Sequence, residues 1–389
     1  MVNNLRRALA ASKRSAVAPF YVMQVLAAAQ RRAETGRQVF NLTAGQPSSP
    51  APAPVLAAAH RALDEHILGY TEAAGLPLLR QAIAGHYRDR YGLTVDPGQV
   101  FVTTGSSGGF LAAFLAAFDV GDRVGLAVPG YPAYRNILQA LGCEVVLLDC
   151  GPRTRYQPTV DMVSEHDLKG LILASPANPT GTNLPATELA GLLTYCADHG
   201  IRVVSDEIYH GIGYPPDDHS AWEFDRSAIV VNSFSKYFSM TGWRIGWLLL
   251  PDELLGPVDA LSGNLSICPP ALAQYAAAHA FSAYRECDGH VARYATNRSL
   301  LLDGLRRLGI DKLAPADGAF YAYADIGHLT EDSAAFCGAL LAERGVAIAP
   351  GIDFDPQGGH RTVRFSFAGS EQTITGALTE LERFLTDRG

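Results

Sequence analysis

The 389-residue sequence lacks most of the features that place a chain in a class at sight. It has no basic surplus: 31 Lys and Arg stand against 39 Asp and Glu, a net charge of −8. That argues against a general nucleic-acid binder and leaves room for a local basic pocket. It has no long hydrophobic run. The longest, Phe110 to Phe118, is about half of what a bilayer span requires, so no membrane partner is expected. The opening MVNNLRRALAASKRS has basic residues but no apolar stretch after them, and no secretory leader is read there. There is no C-x-x-C pair. The six cysteines (Cys143, Cys150, Cys196, Cys268, Cys287, Cys337) are scattered, as expected of reduced, mostly buried thiols in a cytoplasmic protein. The 11 histidines show no H-E-x-x-H or similar spacing and no Cys/His cluster exists, so no metal is expected. Internal repeats and low-complexity tracts are absent too. With 48% hydrophobic and 18% charged residues, the chain can bury a substantial core and is not wholesale disordered. Its length suits one large domain plus a smaller one.

What is present is a rhythm. A helix is expected over Tyr21–Thr35, with Gly36 where it would stop. NLTAGQPSSPAPAP, with four prolines and one glycine, reads as an irregular crossing. From about Pro97, short β-rich runs alternate with helix-sized spacers: QVFVTT, DRVGLAVP, CEVVLLD, GLILAS, IRVVSD, AIVVNS and RIGWLLL. Each run is nearly continuously apolar, the mark of strands covered on both faces. We therefore expect an α/β fold: a three-layer αβα large domain with a mainly parallel seven-stranded sheet and right-handed crossovers. A long amphipathic helix is expected over about Ala271–Arg307. The last part mixes short strands (AFYAYAD, GVAIAP, TVRFSF) with helices at Ala334–Arg344 and Glu371–Asp387, and reads as a smaller α+β domain. The expected division is an N-terminal arm over 1–45, a large domain over 46–290 and a small domain over 291–389.

In open α/β sheets ligands sit beyond the carboxyl ends of the strands. The residues that follow successive strands are Gly105-Ser106-Ser107-Gly108, Gly130-Tyr131, Pro176-Ala177-Asn178-Pro179, Asp206-Glu207-Ile208-Tyr209 and Ser233-Phe234-Ser235-Lys236. One edge thus gathers small hydroxyls, aromatics, an amide, a carboxylate and a lysine, a set suited to an aromatic cofactor bearing a phosphate and an aldehyde. Lys236 can form a Schiff base with an aldehyde. Ser233 and Ser235 can donate to a phosphate that Arg244 clamps as an ion pair. The amides of the helix opening at Gly105-Ser-Ser-Gly make an anion site. Asp206 is either an ordinary turn carboxylate or the partner that keeps a pyridine nitrogen protonated, so that the ring accepts electrons. Tyr209 and Asn178 can hold the ring oxygen, or be a core tyrosine and a turn residue. Arg364, in TVRFSF, can hold a carboxylate with its two-pronged guanidinium, or pair with a surface acid. Gly105-x-Ser107-x-Gly109 also fits a nucleophile elbow, which opens a rival α/β-hydrolase with Ser107, Asp325 and His360. That rival has no HGGG-type oxyanion segment and leaves Lys236, Arg244, Asp206 and Asn178 without a task.

NLTAGQP, GYTEAAGLPLLR, TTGSSGG, PGYPAY, SPANPTG, SDEIY, SFSKYFSMTGWRIGW and VRFSF stand in an order that resembles the class I/II (aspartate aminotransferase-like) aminotransferases, pyridoxal-phosphate enzymes of fold type I. The resemblance runs from about Tyr21 to the C-terminus. It implies that Lys236 anchors pyridoxal 5'-phosphate covalently, Asp206 holds the pyridine nitrogen, Asn178 and Tyr209 the ring oxygen, and Tyr131 the ring face. The Ser106 and Ser107 amides, Ser233, Ser235 and Arg244 hold the phosphate. Tyr70 reaches the phosphate of a neighbouring subunit, so a homodimer with shared sites is implied. Arg364 and the Gly45 backbone hold the substrate α-carboxylate, and Lys236 shuttles the α-proton. A ping-pong exchange between an amino acid and a 2-oxo acid follows. Lyase or oxidase chemistry on the same cofactor is the alternative, and motifs alone do not separate the two.

The substrate is expected to be neutral or hydrophobic. Some members of the family bind an acidic side chain through a lysine on the helix after the Gly loop, whereas Ser107–Asp122 contains no Lys or Arg. Phe20, Leu42, Tyr131 and Ile267 are the apolar residues expected near the pocket.

Overall fold

The computed structural model describes residues 11–43, 45–215 and 218–388. Its strands are β1 (Phe40–Asn41), β2 (Val100–Thr103), β3 (Arg123–Val128), β4 (Glu144–Asp149), β5 (Gly170–Ala174), β6 (Arg202–Asp206), β7 (Ile229–Ser233), β8 (Gly246–Leu249), β9 (Tyr321–Asp325), β10 (Val346–Ala347), β11 (Ala349–Pro350) and β12 (Thr362–Ser366). Strands β2 to β8 form one sheet in the order β2-β8-β7-β6-β5-β3-β4. All neighbours are parallel except β8, which runs against both β2 and β7.

The continuous apolar runs have a direct physical reading. Successive side chains of a strand point to opposite faces, and here both faces are buried. Val100 and Val102 join one core while Phe101 joins the other; Leu171 and Leu173 oppose Ile172, Val203 opposes Val204, and Val230 opposes Ile229 and Val231. The expected αβα layering with a mainly parallel seven-stranded sheet is what the chain forms.

The direction of β8 positions the site. The carboxyl ends of β2, β3, β5, β6 and β7 share one edge, and β8 begins there. Gly246 pairs with both Thr103 and Ser233. Arg244, two residues earlier, is thereby delivered to the edge where the other loops end.

The remaining strands make smaller sheets, β11-β12-β9 and β1-β10. Two expectations need correction. The helix expected over Ala271–Arg307 is two helices, Ala271–Ala277 and Tyr284–Arg307, separated by a three-ten turn at Ala280–Ser282. The turn sends Phe281 against His86 (ring centroids 4.9 Å apart) and Phe234 (5.4 Å). That burial of an aromatic ring replaces continuation of the helix. The strand read in GVAIAP divides at Ile348: Val346–Ala347 pairs with β1, and Ala349–Pro350 pairs with β12. The helix Tyr284–Arg307 passes position 290 without interruption. Among the described residues, no helix is long and apolar enough to cross a membrane.

Candidate active site

The loops at the shared edge enclose a cavity of about 530 Å³. That is within the range of pockets that bury a small ligand, roughly 300–1,000 Å³. Its wall includes Gly45, Ser106, Ser107, Tyr131, Asn178, Asp206, Tyr209, Ser235, Lys236, Arg244 and Arg364, all singled out from the sequence.

Lys236 follows β7 in a loop where Ser239 (φ 54°) and Arg244 (φ 53°) adopt left-handed backbone, an uncommon conformation that clusters at functional sites. Its Nζ donates to the Gly45 carbonyl at 2.6 Å and lies 5.7 Å from the centre of the Tyr209 ring. Burial, then the nearby Arg364 charge, lowers the Lys236 ammonium from 10.5 to about 8; Arg244 adds to this and Asp206 opposes it. Asp206, the last residue of β6, is buried and pushed up from 3.8 to about 6 by desolvation. Two donors hold it against that push: the Tyr134 hydroxyl bonds Oδ2, and the Ile208 amide bonds Oδ1 at 3.1 Å.

Arg364, on β12, is also buried. Its Nη1 donates to Asn178 Oδ1 and its Nη2 to the Thr43 carbonyl, each at 2.7 Å, while Nε is buried without a partner among the described residues. The guanidinium lies over Tyr321 (4.2 Å to the ring centre) and Phe354 (4.7 Å). Tyr209 shares a hydroxyl–hydroxyl bond of 2.7 Å with Tyr321. Tyr131 meets Phe20 and Tyr134 edge-on, and burial raises its phenol to about 12.

The opposite end is built for an anion. The helix Gly105–Ala117 starts without a side-chain cap, so its first amides stay available. Gly105 has φ +67°, and a Cβ there would stand 2.5 Å from Arg244 Nη2. Only glycine lets the guanidinium lie against this helix start. Arg244 is exposed and donates just to the Thr241 carbonyl, at 3.1 Å, among the described residues, leaving most of its donors without a protein acceptor there.

Some expected residues stand elsewhere. Ser233 does not line this cavity. Its Oγ lies 2.8 Å from Ser235 Oγ and 3.0 Å from the Ile245 carbonyl, and it accepts from the Ser235 amide at 3.0 Å, so it braces Ser235 from behind. Tyr70 is 83% exposed, away from the cavity of its own chain. Leu42 is packed in the core, and Ile267 sits exposed at φ 65°. The hydrolase rival loses its base: among the described residues no histidine lines the cavity, His360 is exposed beside the Gln357 carbonyl, and Asp325 lies 3.8 Å from Arg361. The helix expected from Tyr21 is present, as Tyr21–Glu34, but sequence reasoning missed Tyr134, Tyr321, Thr43 and that helix's Val22, Met23 and Leu26, which extend the wall that Phe20 begins. The repeated tyrosine of PGYPAY was the one local signal for Tyr134.

The chain matches the model of the family "Aminotransferase class I and II" over residues 37–381. It is 58% identical over 378 residues to a valine–pyruvate aminotransferase of Mycobacterium tuberculosis, covering 96% of this chain and 97% of that one. A crystal structure of an aminotransferase from the same organism superposes with a TM-score of 0.96 at 57% identity, over 97% of this chain and 99% of the other. Aspartate aminotransferase from Thermus thermophilus with maleate follows at a TM-score of 0.91 and 33% identity, over 96% and 99%. With that agreement along nearly its whole length, the chain belongs to the class I and II aminotransferases, enzymes that move an amino group between an amino acid and a 2-oxo acid.

Proposed function

We propose that this aminotransferase binds pyridoxal 5'-phosphate in the 530 Å³ cavity and takes its amino group from a neutral or apolar amino acid, with a small 2-oxo acid such as pyruvate as acceptor. The donor set fits the cofactor: an amine with lowered pKa, a buried carboxylate, and an anion cradle that a Cβ at Gly105 would fill. When bound, the cofactor supplies the aldehyde that carries the amino group and a ring that accepts electrons. Asp206 would face the ring nitrogen, Tyr209 and Asn178 the ring oxygen, and Tyr131 the ring. The Ser106 and Ser107 amides, Ser235 and Arg244 would hold the phosphate, with Ser233 bracing Ser235.

Arg364 would take the α-carboxylate, helped by the Gly45 backbone; Asn178 and Thr43 already fix its orientation. With its pKa near 8, about a tenth of Lys236 is neutral at pH 7, so its amine can accept a proton and return it. We further propose that Tyr70 completes the site of a second copy in a homodimer, and that the arm (1–45) and the small domain (291–389) close on the large one (46–290). Six free thiols, five of them buried, suit a reducing compartment such as the cytoplasm.

One observation carries the substrate reading. Among the described residues, the cations lining the cavity are Lys236, Arg244 and Arg364, which would all serve the cofactor and carboxylate end, and Phe20, Val22, Met23 and Leu26 form an apolar wall with no described cation to meet an acidic side chain. The 58% identical relative bears the name of a valine enzyme. Initial rates of the loaded enzyme over a donor panel test the reading. Valine or alanine should be favoured, with equal amounts of 2-oxo acid and new amino acid formed. A sharp preference for aspartate, or release of ammonia or peroxide, would overturn it.

A further inference from the structure

The helix Tyr21–Glu34 bears the apolar wall, yet its own start is poor. Its N-cap is Phe20, which supplies no side-chain bond, and its first turn has no acidic residue. The cap arrives from the far end of the chain. Asp353 Oδ1 accepts from the Tyr21 amide at 3.2 Å and Oδ2 from the Val22 amide at 2.8 Å, across 332 and 331 positions. Asp353 is 1% exposed and ends the three-ten turn Gly351–Asp353, immediately after β11.

That turn touches the rest of the site. In β11, Ala349 pairs with Arg364. Phe354 lies against the Arg364 guanidinium, and its carbonyl accepts from the Gly130 amide, next to Tyr131, at 3.0 Å. Arg135 Nη2 reaches the Asp353 carbonyl at 3.5 Å. The wall itself has little to hold it. Of its members only Val22 is packed in a core, with Ala314, Tyr323, Ala349 and Phe354; Phe20 and Leu26 are half-buried and Met23 is 53% exposed. The later turns are anchored elsewhere, by Ala29, Val25 and Ala28 against Leu341 and Ala347 and by Arg32 on the Ala342 carbonyl, so it is the first turn, which carries most of the wall and frays most readily, that the cap holds in place.

We propose that Asp353 is a positioning residue for substrate selection. By capping the helix Tyr21–Glu34 from the turn that follows β11, it fixes the apolar wall at a set distance from Arg364, so that an apolar side chain and an α-carboxylate are recognised together. This rests on the aminotransferase reading with an apolar donor.

Asp353→Ala and Asp353→Asn in the loaded enzyme test it, read by amide exchange and by steady-state kinetics. In Asp353→Ala, exchange over residues 20–23 should quicken about tenfold. KM for valine should rise by a similar factor with kcat within about twofold. KM for alanine, whose methyl group is too short to fill the wall, should rise less than about threefold, and cofactor affinity should stay unchanged. Asp353→Asn keeps one acceptor oxygen and should fall between; should Asp353→Ala not fold, the Asn variant decides on the same readings. Unchanged exchange overturns the proposal, as does faster exchange with valine and alanine KM moving together or not at all. Failure of the underlying reading looks different, because the unaltered enzyme would then prefer aspartate or release ammonia whatever the exchange rates show.

Discussion

Lys236 should destabilise the protein it serves. In the cofactor-free protein its ammonium is held near 8 against an ordinary 10.5, a gap of about 2.5 pH units. At about 1.36 kcal/mol per unit, the charged form costs the fold about 3 kcal/mol at pH 7. Lys236 is half-buried, and solvent screening reduces this to about 2 kcal/mol. The sign is fixed by linkage. A lysine whose folded pKa is depressed contributes stability only above its unfolded pKa, and loses that contribution as pH falls through the folded value. Lys236→Met, similar in length and uncharged, should therefore be more stable than the unaltered chain at pH 7 and no more stable at pH 10.5 and above. An unfolding entropy of about 2.1 cal/mol/K per residue gives roughly 0.8 kcal/mol/K for 389 residues, so the gain amounts to a Tm about 2–3 °C higher. Scanning fluorimetry of cofactor-free protein, in buffer without phosphate, measures it. No gain at pH 7 would refute the strained-lysine argument. An equal gain at both pH values would also refute it, because the cause would then be packing rather than charge.

Three further outcomes follow from the same geometry. Gly105→Ala forces a side chain into φ +67° and against Arg244 Nη2, so cofactor affinity in a spectroscopic titration should fall at least about tenfold, with about 1–2 kcal/mol lost in unfolding. Arg364→Lys replaces the planar fork that Asn178 and Thr43 orient with a single point donor; losing two charge-assisted bonds to the substrate carboxylate, at about 1.5 kcal/mol each, predicts KM for both amino acid and 2-oxo acid up about 100-fold, and a change below about threefold would contradict the carboxylate assignment. Tyr134→Phe leaves Asp206 with the Ile208 amide alone, and the lost bond should raise that carboxyl from about 6 by about 1–2 units. Cofactor affinity should then drop about tenfold at pH 7 and recover toward pH 9, where Asp206 ionises again; a pH-independent loss would show that Tyr134 acts by packing.

The parts of the molecule that were legible in the sequence are those whose cause is local. The seven strands could be read because burial on both faces makes the middle of each one apolar, most fully in Val100–Thr103 and Gly246–Leu249, while the edge strand Glu144–Asp149 keeps exposed carboxylates at its ends. Lys236, Asp206, Ser106 and Arg244 could be read because Asp206 ends a strand and the others lie within three residues of one. What escaped was set at a distance. Tyr134 meets Asp206 across 72 positions, Tyr209 meets Tyr321 across 112, and Asp353 caps a helix across more than 330. Nothing near those residues in sequence marks them. Ser233 and Ser235 look alike in SFSK, and only the fold shows that one faces the cavity while the other supports it. The break between Ala277 and Tyr284 has no proline or glycine to announce it; Phe281 inserting among distant aromatic rings causes it.

The two most specific motifs have a common structural logic. In SDEIYH and SFSKY the side chains assigned to the chemistry, Asp206, Tyr209 and Lys236, are each followed by one that faces away and is anchored. Asp206 is followed by buried Glu207, whose Oε1 accepts from Ser220 (3.1 Å) and the Ala221 amide (2.8 Å). Tyr209 is followed by His210, bonded to the Tyr91 hydroxyl at 2.8 Å, and Lys236 by Tyr237, whose hydroxyl donates to Asp288 and accepts from Arg90 at 3.2 Å. A carboxylate raised toward neutrality and a lysine lowered toward it would both relax if their backbone could turn them to solvent. Buried polar bonds on the neighbouring residues, which are costly to break, oppose that rotation. The motifs therefore extend beyond the reacting side chains because the same few residues must supply both the chemistry and the anchorage that holds it in a desolvated cavity.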